Sequence, residues 1–271
     1  MKMMKGRNLI VLLGIPTWLY LIQLGGYYYT FFILSIMIIG LQEFYELAEK
    51  KNLTPLRFIG FASAVFLADY FHVQPALSGF QLIQLIIFFV VAILFWELFR
   101  ESEHPTLNIS STLLGILYVP LLLGTSIGIR QFDHNLNTNI TFAFVISIWA
   151  CDSAAFISGT LWGRKKIFPR VSPNKSWLGS IFGLLFSILV FVMFYTFNIL
   201  GNIFSLSNAI LMGLFIGVFG QVGDFIESSL KRDAGVKDSG KILLGHGGIL
   251  DRFDSIIFSS PIIYIYIHTL F

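Results

Sequence analysis

LIQLIIFFVVAILFWELF, residues 82–99, is apolar throughout except for Gln84 and Glu97. A helix needs roughly 20 predominantly apolar residues to cross the hydrocarbon core of a bilayer, so this stretch reads as a membrane span. Similar runs recur on both sides of it, at residues 9–24, 27–41, 58–71, 113–129, 142–161, 181–200, 208–225 and 256–271. The expectation is an all-α, polytopic integral membrane protein with about nine transmembrane helices. Composition agrees: 56% of the 271 residues are hydrophobic and 12% are charged, a balance that excludes a soluble domain.

The run at 58–71 is short for a span, and the distribution of charge decides in its favour. Basic residues in short loops stay on the cytoplasmic side. With nine spans and a cytoplasmic N-terminus, every Lys and Arg except Arg130 falls inside. Omitting residues 58–71 would turn Arg100 and the two large basic loops, at 164–175 and 231–252, outward. The first run follows Lys2, Lys5 and Arg7 as a signal peptide would. No small-residue cleavage pattern closes it, so a retained anchor is expected. The net charge of +3 is not a nucleic-acid signature, because the basic residues are those of cytoplasmic loops. Cys151, the sole cysteine, has no metal-ligand spacing around it and is assigned to packing.

The polar residues divide the chain at about residue 140. In residues 1–140 they read as span ends and connectors, Glu43, Glu46 and Glu49 among them, and this half is taken as architectural. Asp69 is read as reaching the outer interface. Residues 141–271 contain the acids and cations that could do chemistry. Asp152 lies midway along a span, where a carboxylate either stitches helices together or faces a cavity as a ligand; residue reading alone leaves both open. The loop Ser172-Pro-Asn-Lys175-Ser176 before the next span offers a cation, hydroxyls and a helix N-terminus, all suited to phosphate oxygens. Asp224, Glu227 and Lys231 fall on one helical face, where stacked carboxylates call for a cation. Lys237-Asp238-Ser239-Gly240-Lys241 and Gly245-His246-Gly247-Gly248 form a turn-rich connector whose glycines admit close approach of a ligand. Asp251-Arg252-Phe253-Asp254 then opens the last span.

Taken together, Ser228, Lys231, Arg232, Lys237, Asp238, His246, Gly247, Gly248, Asp251, Arg252 and Asp254 resemble the signature of the phosphatidate cytidylyltransferases, the CDP-diacylglycerol synthases. Trp149 with Asp152, Ser172 to Lys175, and Gly223-Asp224 with Glu227 extend the likeness, which runs from about Trp149 to the C-terminus. Leu244 departs from it, standing where the family has proline before Gly-His-Gly-Gly; this alters a turn but removes no chemical group.

The resemblance implies that CTP reacts with phosphatidate to give CDP-diacylglycerol and pyrophosphate. It also implies magnesium as cofactor, with a second cation as an option. The catalytic set expected from residues and resemblance together is Asp152, Lys175, Lys231, Arg232, Lys237, Asp238, His246, Arg252 and Asp254. Ser172, Ser176, Gly247 and Gly248 are expected at the substrate, and Asp224, Glu227 and Asp251 at the metal. The partners are CTP, phosphatidate and membrane lipids, without nucleic acid, and a homodimer is left open. The expected location is the cytoplasmic membrane, with the site on its cytoplasmic side. Two rival readings stand beside this one: a CTP-dependent lipid-alcohol kinase, and an ion-coupled transporter using Asp152, Asp224 and Glu227.

Overall fold

The computed structural model describes residues 14–73, 79–240 and 247–271. Among the described residues the protein is all-α, with no strand beyond an isolated bridge between Lys166 and Ser176. We number the helices α1 (residues 14–24), α2 (Gly26–Glu49), α3 (Arg57–Val73), α4 (Gly79–Leu98) and α5 (Pro105–Leu136). They are followed by α6 (Ile140–Leu161), α7 (Trp177–Thr196), α8 (Leu206–Asp233) and α9 (Leu250–Leu270). Seven of them, α2 and α4 through α9, are long and apolar enough to cross a membrane. At 17 residues α3 is not one of the seven, so the count of nine spans and the side of the N-terminus rest on charge distribution alone.

Helix boundaries follow local chemistry. Gly25 and Gly26 both have positive φ, which separates α1 from α2. Asn52, Asn137 and Asn198, just beyond α2, α5 and α7, take the left-handed conformation that ends a helix and that Asn tolerates better than most residues. Pro105 begins α5, where its missing N–H costs nothing. Pro120 sits inside a π-turn at Leu117–Leu121, which absorbs the hydrogen bond that proline cannot make. Along α4 Phe80, Ile83, Ile87, Phe88, Val91 and Phe95 are all exposed, a face suited to lipid rather than water.

The helices group into two compact units, Met1–Gln131 with Asp233–Asp251, and Phe132–Arg232 with Arg252–Phe271. In the first, Tyr45 of α2 is fully buried and fills the space left by Gly60 of α3 and Gly115 of α5, its hydroxyl donating to the Thr112 carbonyl at 3.2 Å. The turn after α2 is fastened to α5: the Thr54 N–H donates to Asn108 Oδ1 at 2.8 Å and the Leu56 N–H to Thr112 Oγ1 at 2.9 Å.

Small residues organise the second unit. A Cβ on Gly179 of α7 would lie 2.7 Å from the Ala155 carbonyl of α6, and one on Gly183 would lie 2.9 Å from that of Cys151. On α8, a Cβ at Gly213 would meet Ile188 Cα of α7 at 2.5 Å, and one at Gly223 would meet the Asp254 carbonyl of α9 at 2.5 Å. Such contacts bring helix backbones together where lipid supplies no hydrophobic drive for association. Cys151 is buried at this seam, as a packing residue should be.

Candidate active site

Within the second unit, the loop between α6 and α7 is folded back on itself. The Ile167 N–H donates to the Lys175 carbonyl at 3.2 Å, the Trp177 N–H to that of Lys165 at 3.0 Å, and Lys166 Nζ to that of Asn174 at 3.0 Å. Ser176 is buried and caps α7, its hydroxyl accepting from the Gly179 N–H at 3.2 Å. These bonds hold Lys175 in a fixed backbone position. Its ammonium pairs with the Asp224 carboxylate of α8 and lies 4.9 Å from the centroid of the Phe225 ring. Phe168, from the same loop, packs edge-on against Phe225 at 5.0 Å.

Around this pair the unit gathers several of the other charged residues picked out by the sequence. Asp152 of α6 is exposed and lies within electrostatic reach of Lys175, Asp224 and Arg252. Asp254 of α9 is buried within reach of Asp224, Glu227 and Asp152, and its Oδ1 accepts from the Ser255 N–H at 2.6 Å. Glu227 is buried beside Lys231, one helical turn further along α8, and the two form an ion pair. Ser228 Oγ donates to Asp224 Oδ1 at 3.4 Å. Three helices thus bring four carboxylates together with Lys175, Lys231 and Arg252. Charges of both signs at this density in a membrane-spanning unit are costly unless they pair with one another, as Lys175 with Asp224 and Lys231 with Glu227 do, or face a polar ligand.

The donors are all carboxylate oxygens, the ligand type preferred by a hard divalent cation such as magnesium. Among the described residues no group of three or more His, Cys, Asp or Glu side chains is disposed to hold a metal ion by itself. Magnesium is commonly bound by one or two carboxylates, with water and phosphate oxygens completing its shell, and Asp224 and Glu227 fit that pattern.

Asp251, expected with Asp224 and Glu227 at the metal, falls in the first unit and bonds Ser239 and Gly248. Its Oδ2 accepts from the Gly248 N–H at 2.8 Å and from the Ser239 N–H at 3.0 Å, and the Ser239 hydroxyl, whose single hydrogen it shares with Glu43, lies 3.0 Å away. Gly247, at φ +80°, lies against the same oxygen, and a Cβ there would come within 2.5 Å of it. Lys237 and Asp238 are exposed just before Ser239, and Arg232 is exposed near the end of α8. Ser172 is half-buried, its N–H donating to the Phe168 carbonyl at 2.9 Å. His246 lies outside the described residues.

Sequence reasoning missed Glu43. Spaced regularly with Glu46 and Glu49 before two lysines, it looked like part of a solvated span end. In the structure it is buried and accepts from Ser239, Ile249 and Leu250. The only signal in the sequence is that Glu43, unlike Glu49, is followed by bulky apolar residues, Phe44 and Tyr45.

Comparison with known proteins identifies the family. The model of the cytidylyltransferase family matches residues 5–270. A phosphatidate cytidylyltransferase of Staphylococcus epidermidis is 34% identical over 269 residues, covering 96% of this chain and 97% of its own. Those of Bacillus subtilis and Synechocystis are 32% and 30% identical, with 96% of this chain covered in each case and 96% and 95% of theirs.

Proposed function

Because this chain belongs to the cytidylyltransferase family, we propose that it transfers CMP from CTP to phosphatidate, giving CDP-diacylglycerol and pyrophosphate. The observation that carries this reading is the meeting of Lys175 with Asp224 amid Asp152, Glu227 and Asp254. A phosphatidate oxygen attacks the α-phosphorus of CTP, a new P–O bond forms, and the bond to the bridging oxygen of the departing pyrophosphate breaks. The nucleophile is already anionic near neutral pH, so no strong base is required. The obstacle is repulsion between anions, and catalysis consists of neutralising charge and aligning the reactants.

In this reading Asp224 and Glu227 hold magnesium, and Asp152 and Asp254 add to the negative field that retains it. When bound, magnesium neutralises triphosphate charge and polarises the reacting phosphoryl group. Lys175 exchanges its partner Asp224 for a phosphate oxygen as substrate enters. Lys231, Arg232 and Arg252 screen the lipid phosphate and the leaving pyrophosphate. The exposed Lys237 and Asp238 meet substrate from the connector before α9. The basic loops favour a site on the cytoplasmic side of the membrane, where CTP is available.

The test supplies detergent-purified protein with phosphatidate, a lipid alcohol, Mg²⁺ and CTP labelled at either the α or the γ phosphate. Label from the α position in a phosphatidate-derived lipid is the expected result. Label from the γ position in the alcohol would make this chain a lipid kinase, and absence of label from every lipid would overturn both readings.

A further inference from the structure

Glu43 of α2 is 1% exposed, and the hydrogen bonds it accepts come from a segment near the other end of the chain. Its Oε2 accepts from the Ser239 hydroxyl and the Leu250 N–H, each at 2.9 Å, and its Oε1 accepts from the Ile249 N–H at 2.9 Å. Leu250 is the first residue of α9, so Glu43 satisfies amides at a helix N-terminus from a different helix. Gly240 and Gly248 press against the same carboxylate, and a Cβ at either would collide with its oxygens. Asp251 grips the segment as well, through Ser239 and Gly248. The Ser239 hydroxyl therefore lies between two carboxylates, 2.9 Å from Glu43 and 3.0 Å from Asp251.

We propose that Glu43 is a positioning residue for Lys237, Asp238 and the residues that open α9. It clasps Ser239 on one side of the connector and Ile249 and Leu250 on the other, and so sets the placement of Lys237, Asp238 and the start of α9. The claim rests on the function proposed above, because it takes Lys237 and Asp238 to meet substrate. A carboxylate suits this role better than an amide. In Glu43→Gln, an amide oxygen turned toward Ser239 and Leu250 would leave the NH₂ facing the Ile249 N–H; turned the other way, the NH₂ would face the Leu250 N–H. In both orientations a donor meets a donor in a buried position.

The test is Glu43→Gln in the full-length chain in detergent, with backbone hydrogen exchange measured at Ile249 and Leu250 and CMP transfer measured at saturating and limiting CTP. We expect exchange at these amides to rise by about tenfold and kcat to fall by about tenfold, with KM for CTP changing by less than about threefold. Ser239→Ala removes one donor without burying a new one and serves if Glu43→Gln folds poorly; changes of about threefold in the same directions are expected. Gly124→Ala, which crowds Phe71 in the same unit, controls for loss of stability alone and should leave exchange at 249–250 and kcat unchanged. Unchanged exchange in Glu43→Gln would overturn the clasp, and increased exchange with unchanged kcat would overturn the positioning role. If the wild-type chain itself transfers no α label, the proposed function fails and the positioning role with it, whatever the exchange shows.

Discussion

Lys175, on the loop between α6 and α7, shares the carboxylate of Asp224 on α8 and lies against the face of Phe225. Each of the two ionised side chains keeps 29% of its surface exposed, so the pair remains open to exchange with a ligand. An ion pair this exposed contributes only about 0–1 kcal/mol to stability.

Lys175→Met should therefore leave thermal unfolding nearly unchanged while CMP transfer falls about 100-fold or more. Reversing the pair, Lys175→Asp with Asp224→Lys, should restore the attraction without restoring turnover. Unfolding curves and labelled CTP, measured on the same preparations, check both outcomes.

Asp224→Ala should raise the Mg²⁺ concentration needed for half-maximal rate by about tenfold or more, in addition to lowering the maximal rate. Chelator should abolish activity in the wild-type chain, and added Mg²⁺ should restore it. Rate measured against free Mg²⁺ is the check, and an unshifted curve in Asp224→Ala would assign the metal elsewhere.

Gly213→Ala should destabilise the protein by about 1–3 kcal/mol, because the added methyl would meet backbone atoms of Ile188 that cannot move aside independently. Gly79, at the start of α4, has nothing within 4 Å of a Cβ position, and Gly79→Ala should be nearly neutral. Unfolding in detergent distinguishes the two.

Asp133 is buried and joins α5 to the start of α6. Its Oδ1 accepts from Thr138 Oγ1 at 2.5 Å and the Ile140 N–H at 2.8 Å, and its Oδ2 accepts from the Thr141 N–H at 2.8 Å and Thr141 Oγ1 at 2.6 Å. Asp133→Ala leaves these donors unsatisfied and should cost about 3 kcal/mol, with activity retained below the lowered unfolding temperature. Paired unfolding and transfer assays test this.

Much of the fold is legible without coordinates because it depends on quantities that accumulate along the chain. Seven of the expected spans coincide with helices of sufficient length and apolarity. The pairing of Glu227 with Lys231 follows from helical spacing, which puts residues four apart on one face. The short run at 58–71 is helical, although Arg57–Val73 is shorter than the other candidate spans. The contacts of Asp251 Oδ2 with Ser239 and Gly248 were not legible in the sequence pattern, because they join residues by loop geometry rather than by helical spacing.

By itself, then, the sequence determined that this is an all-helical membrane protein, where most of its apolar spans lie, and to which enzyme family its acids and cations belong. Hydropathy, helical period and motif spacing are local properties, and these conclusions need nothing else. Only the tertiary structure decided that Glu43 holds Ser239, Ile249 and Leu250, that Asp133 caps the start of α6, and that Gly213 marks a backbone contact with Ile188. The value of a carboxylate or a missing side chain at those positions is set by whichever distant segment packs against it, and no period or spacing along the chain encodes that choice.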